Sequence, residues 1–258
     1  MQTLLSVRNP VIQAARALQT RKARTESGLF LCEGEHMVGE AAKNVPGDVR
    51  TVFVAQESKE KYAALLESLP QATCYAVPES VLQAISQVKT PQGIAATVML
   101  PRPVHPEELG DKVILLENVQ DPGNVGTILR TADAAGFQTC ILTPGCADPF
   151  SPKALRATMG SVFRVPCVQT DDDAHTVRTL KTAGYAVLAS VLDGEDFYNR
   201  PKLPQKVCVI IGNEGAGITP QTVAEATHRF RLPMRGGAES LNAAVAAAIL
   251  MYEITMRG

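Results

Sequence analysis

Three short stretches in the second half of the chain combine glycine with polar residues that nothing nearby neutralises, which is what a ligand pocket needs. The first, DPGNVGTILRTADAAG over 121–136, is a turn that runs into an amphipathic helix. Asn124 can cap that helix. Thr127 and Arg130 share a face apart from Ile128, Leu129, Ala132 and Ala135, and the positions four residues either side of Arg130 are Gly126 and Ala134, not acids. An arginine left uncompensated beside a glycine turn is either an anion clamp or a plain surface cation, and its surroundings in sequence allow both. The second stretch, IGNEGAGIT over 211–219, permits close backbone approach to a ligand and carries Glu214 as its lone carboxylate. It lacks the G-x-G-x-x-G spacing, which disfavours a dinucleotide-dependent dehydrogenase. The third, LPMRGGAESLNAAVAAAILMYE over 232–253, sets Ser240 and Asn242 where an alanine-dense helix opens beside Gly236 and Gly237. Those two side chains suit a polar ligand, but on this stretch alone the N-cap of a packed helix is the favoured reading.

Each stretch follows a strand-like run, at the sheet end where open α/β folds bind ligands. Val113–Leu116 is nearly continuously apolar, as a strand buried on both faces requires. Further strands are predicted at Thr139–Thr143, Val162–Val165, Tyr185–Leu192, Val207–Ile211 and Arg229–Leu232, with helices in most of the gaps, one after the acids at 171–173 and one at Thr219-Pro220. A parallel sheet covered on both faces is the natural solution. The alanine-rich helix, with Ala243, Ala244, Ala246, Ala247 and Ala248, lets another backbone approach closely and is predicted to be packed on several sides. The first half alternates strands and helices: strands at Leu29–Cys32, Thr51–Ala55, Thr73–Val77 and Ile94–Met99, helices near 33–43, 59–69 and 79–86. That pattern predicts a small α/β/α sandwich. PRPVHP at 101–106, with three prolines in six positions, is read as the linker between domains 1–105 and 106–258.

Local charge matters more than the total, because a net charge of -1 neither favours nor excludes a polyanionic partner. The first 24 residues hold Arg8, Arg16, Arg21, Lys22 and Arg24 and no acid. Val11, Ile12, Ala15 and Leu18 recur there at helical spacing, so the segment reads as an amphipathic helix followed by a basic loop, RKARTESG. Such a face binds phosphates or is simply solvated. Arg8 and Pro10 interrupt any signal-peptide pattern, and the apolar run between Asn242 and Glu253 falls short of the roughly 20 residues of a membrane span, so a cytoplasmic protein is expected. The six cysteines are scattered without C-x-x-C and are expected to be buried thiols, not metal ligands or disulfides.

In this order and spacing, DPGN-x-G-x-x-x-R-x-A-x-A-x-G, then GNEG-x-G, then LPM followed by SLN and the alanine helix, the second half closely resembles the SpoU (TrmH-type) branch of the SPOUT RNA methyltransferases. The resemblance runs from about residue 112 to the C-terminus, and motifs of this length are specific. The first half, with RNP at 8–10 and FLCEG at 30–34, is more loosely similar to the ribosomal-protein-like α/β/α substrate-binding domain such enzymes carry. What the resemblance implies is an α/β fold with a deep C-terminal trefoil knot, a homodimer packed through the knot region, and methyl transfer from S-adenosylmethionine to a ribose 2′-hydroxyl in RNA, ribosomal RNA above transfer RNA. It implies cofactor contacts at Gly212, Leu232 and Leu241, with Leu188 to Ser190 as a further wall, and it puts Asn124, Arg130, Glu214, Ser240 and Asn242 on the active-site positions. RNA binding then falls to Arg8, Arg21, Lys22 and Arg24.

The chemistry suits these residue types. A ribose hydroxyl is a poor nucleophile and the sulfonium methyl is already activated, so catalysis needs in-line placement and help in losing a proton. Histidines 36, 105, 175 and 228 lie outside the motifs, which leaves Arg130 to hold the target nucleotide's phosphate. Either Arg130 or that phosphate takes the proton; a guanidinium stays protonated far above neutral pH, which makes the phosphate an equally good acceptor. Asn124, Ser240 and Asn242 orient groups by hydrogen bonds, Glu214 shapes its loop, and no metal is required. A transfer RNA methyltransferase and a non-catalytic RNA-binding assembly factor are the alternative readings; loss of Asn124 or Arg130 would have favoured the second, and both are present.

Overall fold

Asn9 starts the first helix: its Oδ1 accepts from the Val11 N–H at 2.9 Å, and Pro10 occupies the first helical position of α1 (Pro10–Ala17). The computed structural model describes residues 1–104 and 108–257, in two compact units: Met1–Arg102 with Phe150–Phe163, and Pro103–Pro149 with Arg164–Gly258. A single cut near residue 105 therefore does not separate them, because 150–163 groups with the first unit. Residues 101–104 of the expected linker have no regular structure, and residues 105 and 106 lie outside the described residues.

In the first unit the basic stretch expected as a loop is a helix, α2 (Arg21–Ser27). Thr20 Oγ1 caps it by accepting from the Ala23 N–H, and Gly28, with φ of 68°, closes it in the left-handed region. Strands β1 (Gln2–Thr3), β2 (Leu29–Glu33), β3 (Val49–Ala55), β4 (Thr73–Val77) and β5 (Ile94–Met99) form a sheet of order β1-β4-β3-β5-β2, in which β5 is antiparallel to both neighbours. Helices α3 (Glu35–Asn44), α4 (Ala63–Glu67) and α5 (Glu79–Ile85) complete it. Alternation along β3 shows why both faces are covered: Val52 and Val54 join the layer containing Met37 and Val38 of α3, while Phe53 and Ala55 join the layer containing Ile12 of α1 and Leu82 of α5. Helix α7 (Pro152–Thr158) belongs to this unit, with Leu155 and Val162 in the α3 layer. Val162–Val165 is consequently not a strand. Ser161–Phe163 is a 3-10 turn, Val162 and Phe163 pack in the first unit, and the strand β8 (Cys167–Gln169) starts only after Pro166, which has no N–H to give a ladder.

The second unit holds β6 (Lys112–Leu116), α6 (Pro122–Ala134), β7 (Thr139–Leu142), β8, α8 (Asp173–Thr182), β9 (Ala186–Asp196), β10 (Val207–Ile211), α9 (Pro220–Glu225), β11 (His228–Arg231) and α10 (Ala243–Arg257). Every pairing in the sheet, order β11-β9-β10-β6-β7-β8, is parallel. Ile114, Leu116, Val209 and Ile211 face α6 and α10, whereas Val113, Leu115, Cys208 and Ile210 face α8 and α9. β9 runs past its expected end at Leu192, and its register with β11 jumps from Ala189 opposite Arg229 to Glu195 opposite Phe230. A Cβ on Gly194 would lie 2.7 Å from the Phe230 backbone, so only glycine fits the bulge.

Two helices differ from expectation in ways that matter for the site. Asp121, not Asn124, caps α6, its Oδ1 accepting from the N–H groups of Gly123 and Asn124 at 2.6 and 3.1 Å, which leaves the Asn124 side chain free to face elsewhere. α10 is packed on one side only within the chain: Ala243, Ala247, Leu250, Met251 and Ile254 are buried, while Val245, Tyr252 and Met256 are exposed. No helix among the described residues is long and apolar enough to cross a membrane. Cys32, Cys140, Cys146 and Cys208 are buried, Cys74 and Cys167 half-buried, and burial raises all six thiols above their usual range.

Candidate active site

The loop after β10 doubles back on itself. Asn213 and Gly217 exchange N–H to C=O bonds of 3.0 Å each, and Asn213 Oδ1 accepts from the N–H groups of Gly215 and Ala216. A Cβ on Gly212 would lie 2.3 Å from the Gly217 carbonyl carbon, so this turn demands glycine there. The loop forms one wall of a cleft of about 1500 Å³ at the C-terminal ends of β9, β10 and β11, closed by the segment leading into α10.

Of the residues expected to hold a cofactor, Gly212, Leu232, Leu241 and Ser190 line the cleft. Leu188 does not: it is buried in the core of the sheet layer facing α6, near the start of β9 and two residues before Ser190. Glu214 and Ser240 also line the cleft. Asn124 and Asn242 meet beside it in a hydrogen-bonded chain: Asn242 Nδ2 donates to Asn124 Oδ1 at 3.0 Å, and Asn124 Nδ2 donates to Glu214 Oε1 at 2.8 Å. Residues 118 positions apart are thus brought together. Asn242 also caps α10, its Oδ1 accepting from Ala244 N–H at 2.9 Å, so the ligand and capping readings of this residue are compatible.

Burial alone would push the Glu214 carboxyl up, but hydrogen bonds from Asn124 and from backbone N–H groups including Gln120 outweigh it and hold it below its ordinary value. Glu214 is therefore an ionised acceptor at neutral pH. Arg130 stands on the exposed face of α6, makes no hydrogen bond or ion pair among the described residues, and is not part of the cleft lining of its own chain.

The N-terminal cations separate into two kinds. Arg8, Arg21 and Lys22 are exposed, Lys22 lying 3.8 Å from Glu26 across the surface of α2. Arg24 is a correction to the expected RNA-binding set: it is 3% exposed, and its guanidinium donates to the Leu18 carbonyl at 2.7 Å, tying α2 to the end of α1. Arg24 falls on the inner side of α2, the helix formed where a loop is expected.

Sequence spacing passed over other residues of the cleft. His228 lines it and stacks on Phe230, ring centroids 5.4 Å apart, and Asp193 pairs with Arg229 at 2.6 Å on its rim. The Arg229 guanidinium holds the Asp193 carboxyl below the usual range. Neither partner has a signal in sequence, because 36 residues separate them and only the β9 bulge makes them neighbours. No group of three or more potential metal-ligating side chains occurs among the described residues.

Residues 111–252 match the model of the SpoU rRNA Methylase family. The chain belongs to this family. Residues 9–96 match the MRM3-like substrate binding domain. Along its length the chain is 39% identical, over 98% of itself and 99% of the relative, to the 23S rRNA (guanosine(2553)-2'-O)-methyltransferase RlmP of Bacillus subtilis. It is 29% identical to a 23S rRNA (uridine(2479)-2'-O)-methyltransferase of Streptomyces viridochromogenes, over 96% of this chain and 90% of that one. Among solved structures, an AdoMet-bound rRNA methyltransferase from Sinorhizobium meliloti superposes with a TM-score of 0.87 at 34% identity, covering 99% of this chain and 98% of the other. The architecture seen here, an N-terminal α/β unit and a parallel-sheet SPOUT unit, is that of the SpoU family.

Proposed function

We propose that this protein transfers a methyl group from S-adenosylmethionine to a ribose 2′-hydroxyl of ribosomal RNA. The observation that carries this reading is the cleft itself: its glycine loop and α10 entry are where the SpoU family match lies, and the S. meliloti relative is described with AdoMet bound. The residues fit such a cofactor. Gly212 leaves backbone exposed where any side chain would collide with Gly217, and Leu232 and Leu241 offer apolar surface beside it. Gly212, Ser190, Leu232 and Leu241 would hold the group.

When bound, S-adenosylmethionine supplies a methyl already activated by its sulfonium. The chain's own residues have the remaining tasks. Ser240 in the cleft and the Asn242-Asn124-Glu214 chain beside it fix donor and acceptor directions around the incoming ribose. Glu214, held ionised by its hydrogen bonds, keeps Asn124 in one orientation. Arg130, with no carboxylate partner among the described residues, holds the phosphate of the target nucleotide, and a non-bridging oxygen of that phosphate accepts the proton.

RNA delivery belongs to the first unit, with Arg8, Arg21 and Lys22 as its phosphate contacts. The catalytic unit carries the trefoil knot that the family resemblance implies, and two copies pair through the exposed face of α10, where Val245, Ile249, Tyr252 and Met256 recur at steps of four, three and four. Such a protein works where ribosomal RNA is made, in the cytoplasm. Mapping 2′-O-methyl sites on total RNA of a deletion strain against its parent tests the whole reading: one ribosomal site disappears. An unchanged methylation map, or a lost site in transfer RNA, would overturn it.

A further inference from the structure

Loop 212–218, the wall of the cleft, contributes few side chains of its own, so something must hold its backbone in place. What holds it is the pair of residues that follows the neighbouring strand β6. The Glu117 N–H donates to the carbonyl of Ile211, the residue before the loop, at 2.8 Å. The Glu117 side chain reaches the other end, Oε1 accepting from the N–H of Thr219, the residue after the loop, at 2.8 Å. One residue thus ties both ends. Asn118 then accepts on its carbonyl from Asn213 Nδ2 at 2.9 Å, and Asn213 is the residue whose Oδ1 folds the loop by accepting from Gly215 and Ala216.

Two costs show that this arrangement is built and not incidental. Glu117 is 1% exposed, and its Oε2 is buried with no hydrogen-bond partner among the described residues, an expensive position for a carboxyl group whose other oxygen is bonded to Thr219. Asn118 has φ of 54°, in the left-handed region that side-chain-bearing residues seldom occupy, and this is the conformation in which its carbonyl receives Asn213. Its own N–H is satisfied by Thr143 Oγ1 at 3.1 Å, so the strained residue is fixed from both sides.

We propose that Glu117, Asn118 and Asn213 form a clamp of positioning residues that sets the glycine loop in its cofactor-binding shape. None of them touches the reacting atoms; they act on cofactor affinity through the backbone of 212–218. The inference rests on the assignment of the cleft to S-adenosylmethionine, and the two can fail separately.

Asn213→Asp is the discriminating change. It keeps the oxygen that Gly215 and Ala216 donate to, but replaces the donor to Asn118 with a second acceptor, so the clamp is broken while the turn survives. Calorimetry of the full-length chain with S-adenosylmethionine, alongside steady-state methyl transfer to transcribed ribosomal RNA, reads the result. Expected is an affinity at least about tenfold weaker and a cofactor KM raised alike, with kcat at saturation lowered less than about threefold, the signature of lost ground-state and transition-state binding together. Glu117→Ala should weaken binding similarly, and Glu117→Gln, whose amide oxygen can still accept from Thr219, should restore most of the loss. If Glu117→Ala does not fold, Asn213→Asp and the glutamine variant decide by themselves.

Asn213→Asp binding within about threefold of wild type would overturn the clamp. So would a fall in kcat with affinity kept, which would place Asn213 among the reacting groups instead. Glu117→Gln as weak as Glu117→Ala would remove Glu117 from it. Wild-type protein that does not bind S-adenosylmethionine would overturn the assignment of the cleft, and not the clamp.

Discussion

Arg130 has neither a carboxylate nor a carbonyl to hold it among the described residues. Arg164 pairs with Asp133 and Arg178 with Glu225 in the same unit. The contrast supports a guanidinium kept available for an external anion. Arg130→Ala should lower single-turnover methyl transfer by about 10² to 10⁴, the range for loss of a positioned electrostatic group, while cofactor affinity measured by calorimetry stays put. A rate within about threefold of wild type would take Arg130 out of the mechanism. Glu214 carries a different expectation. Its carboxyl lies below its ordinary value, so it is ionised throughout the neutral range, and the stability its bonds contribute is present above that ordinary value and lost only as pH falls through the lowered one. Glu214→Gln should therefore reduce the transfer rate by roughly tenfold, through a loosened Asn124, without changing the shape of the rate profile between about pH 6 and 8. A new inflection in that window would show that Glu214 titrates during turnover.

At the scale of elements, α2 shows where a sequence reading succeeds and where it stops. Strands β2 to β5 and β6, β7, β9, β10 and β11 are legible from their apolar runs, and the three glycine-bearing loops from their position after such runs. What was not legible depends on contacts distant in sequence: Val162 and Phe163 leave the expected strand to pack in the first unit, and Asp121 wins the α6 cap from Asn124 because Pro122 fixes the first turn after it. Arg24 belongs to the same class. Arg24→Ala should destabilise the first unit by on the order of 2 kcal/mol, since the Leu18 carbonyl loses a charged donor in a buried place, seen as a lower melting temperature. The Arg8, Arg21 and Lys22 triple alanine variant should instead melt like wild type while RNA affinity falls and its salt dependence flattens. RNA affinity and salt slope left unchanged would assign RNA delivery to another surface. Asp173, in the first turn of α8, gives a pH-dependent counterpart. Burial, and then the charges of Glu117 and Asp172, push its carboxyl up to about 6 in the folded chain. A raised folded value means that its favourable contribution is complete below the ordinary carboxylate range and is lost as pH rises toward about 6. Asp173→Asn should gain stability over wild type by up to about 1 kcal/mol between pH 4 and 8, after discounting for its partial exposure; equal stability differences at both pH values would contradict this.

At the scale of the whole molecule, the exposed side of α10 and the position of Arg130 bear on one question. Val245, Tyr252 and Met256 are 47%, 45% and 76% exposed, an apolar stripe too regular for a helix side meant for water, and a two-fold axis along it would bury the same stripe from both copies. If two copies pair through this stripe as proposed, Val245→Glu should leave a 27.6 kDa species in sedimentation where the wild type sediments as twice that mass. Because Arg130 is absent from the lining of its own chain's cleft, and α6, which carries it, packs on α10 beside this stripe, pairing is also the means by which its guanidinium would reach a bound nucleotide. A mixing experiment separates action within one chain from action across the pair. Arg130→Ala retains an intact cleft, and Gly212→Ala, whose Cβ would collide with Gly217, retains Arg130 but loses the cofactor wall. Each should be inactive alone. If the arginine serves the partner's cleft, mixed dimers hold one complete site, formed by the cleft of the first variant and the arginine of the second, and activity returns on mixing to roughly a quarter of the wild-type level for random pairing. If each copy uses its own arginine, no mixed dimer has a complete site and mixing restores nothing.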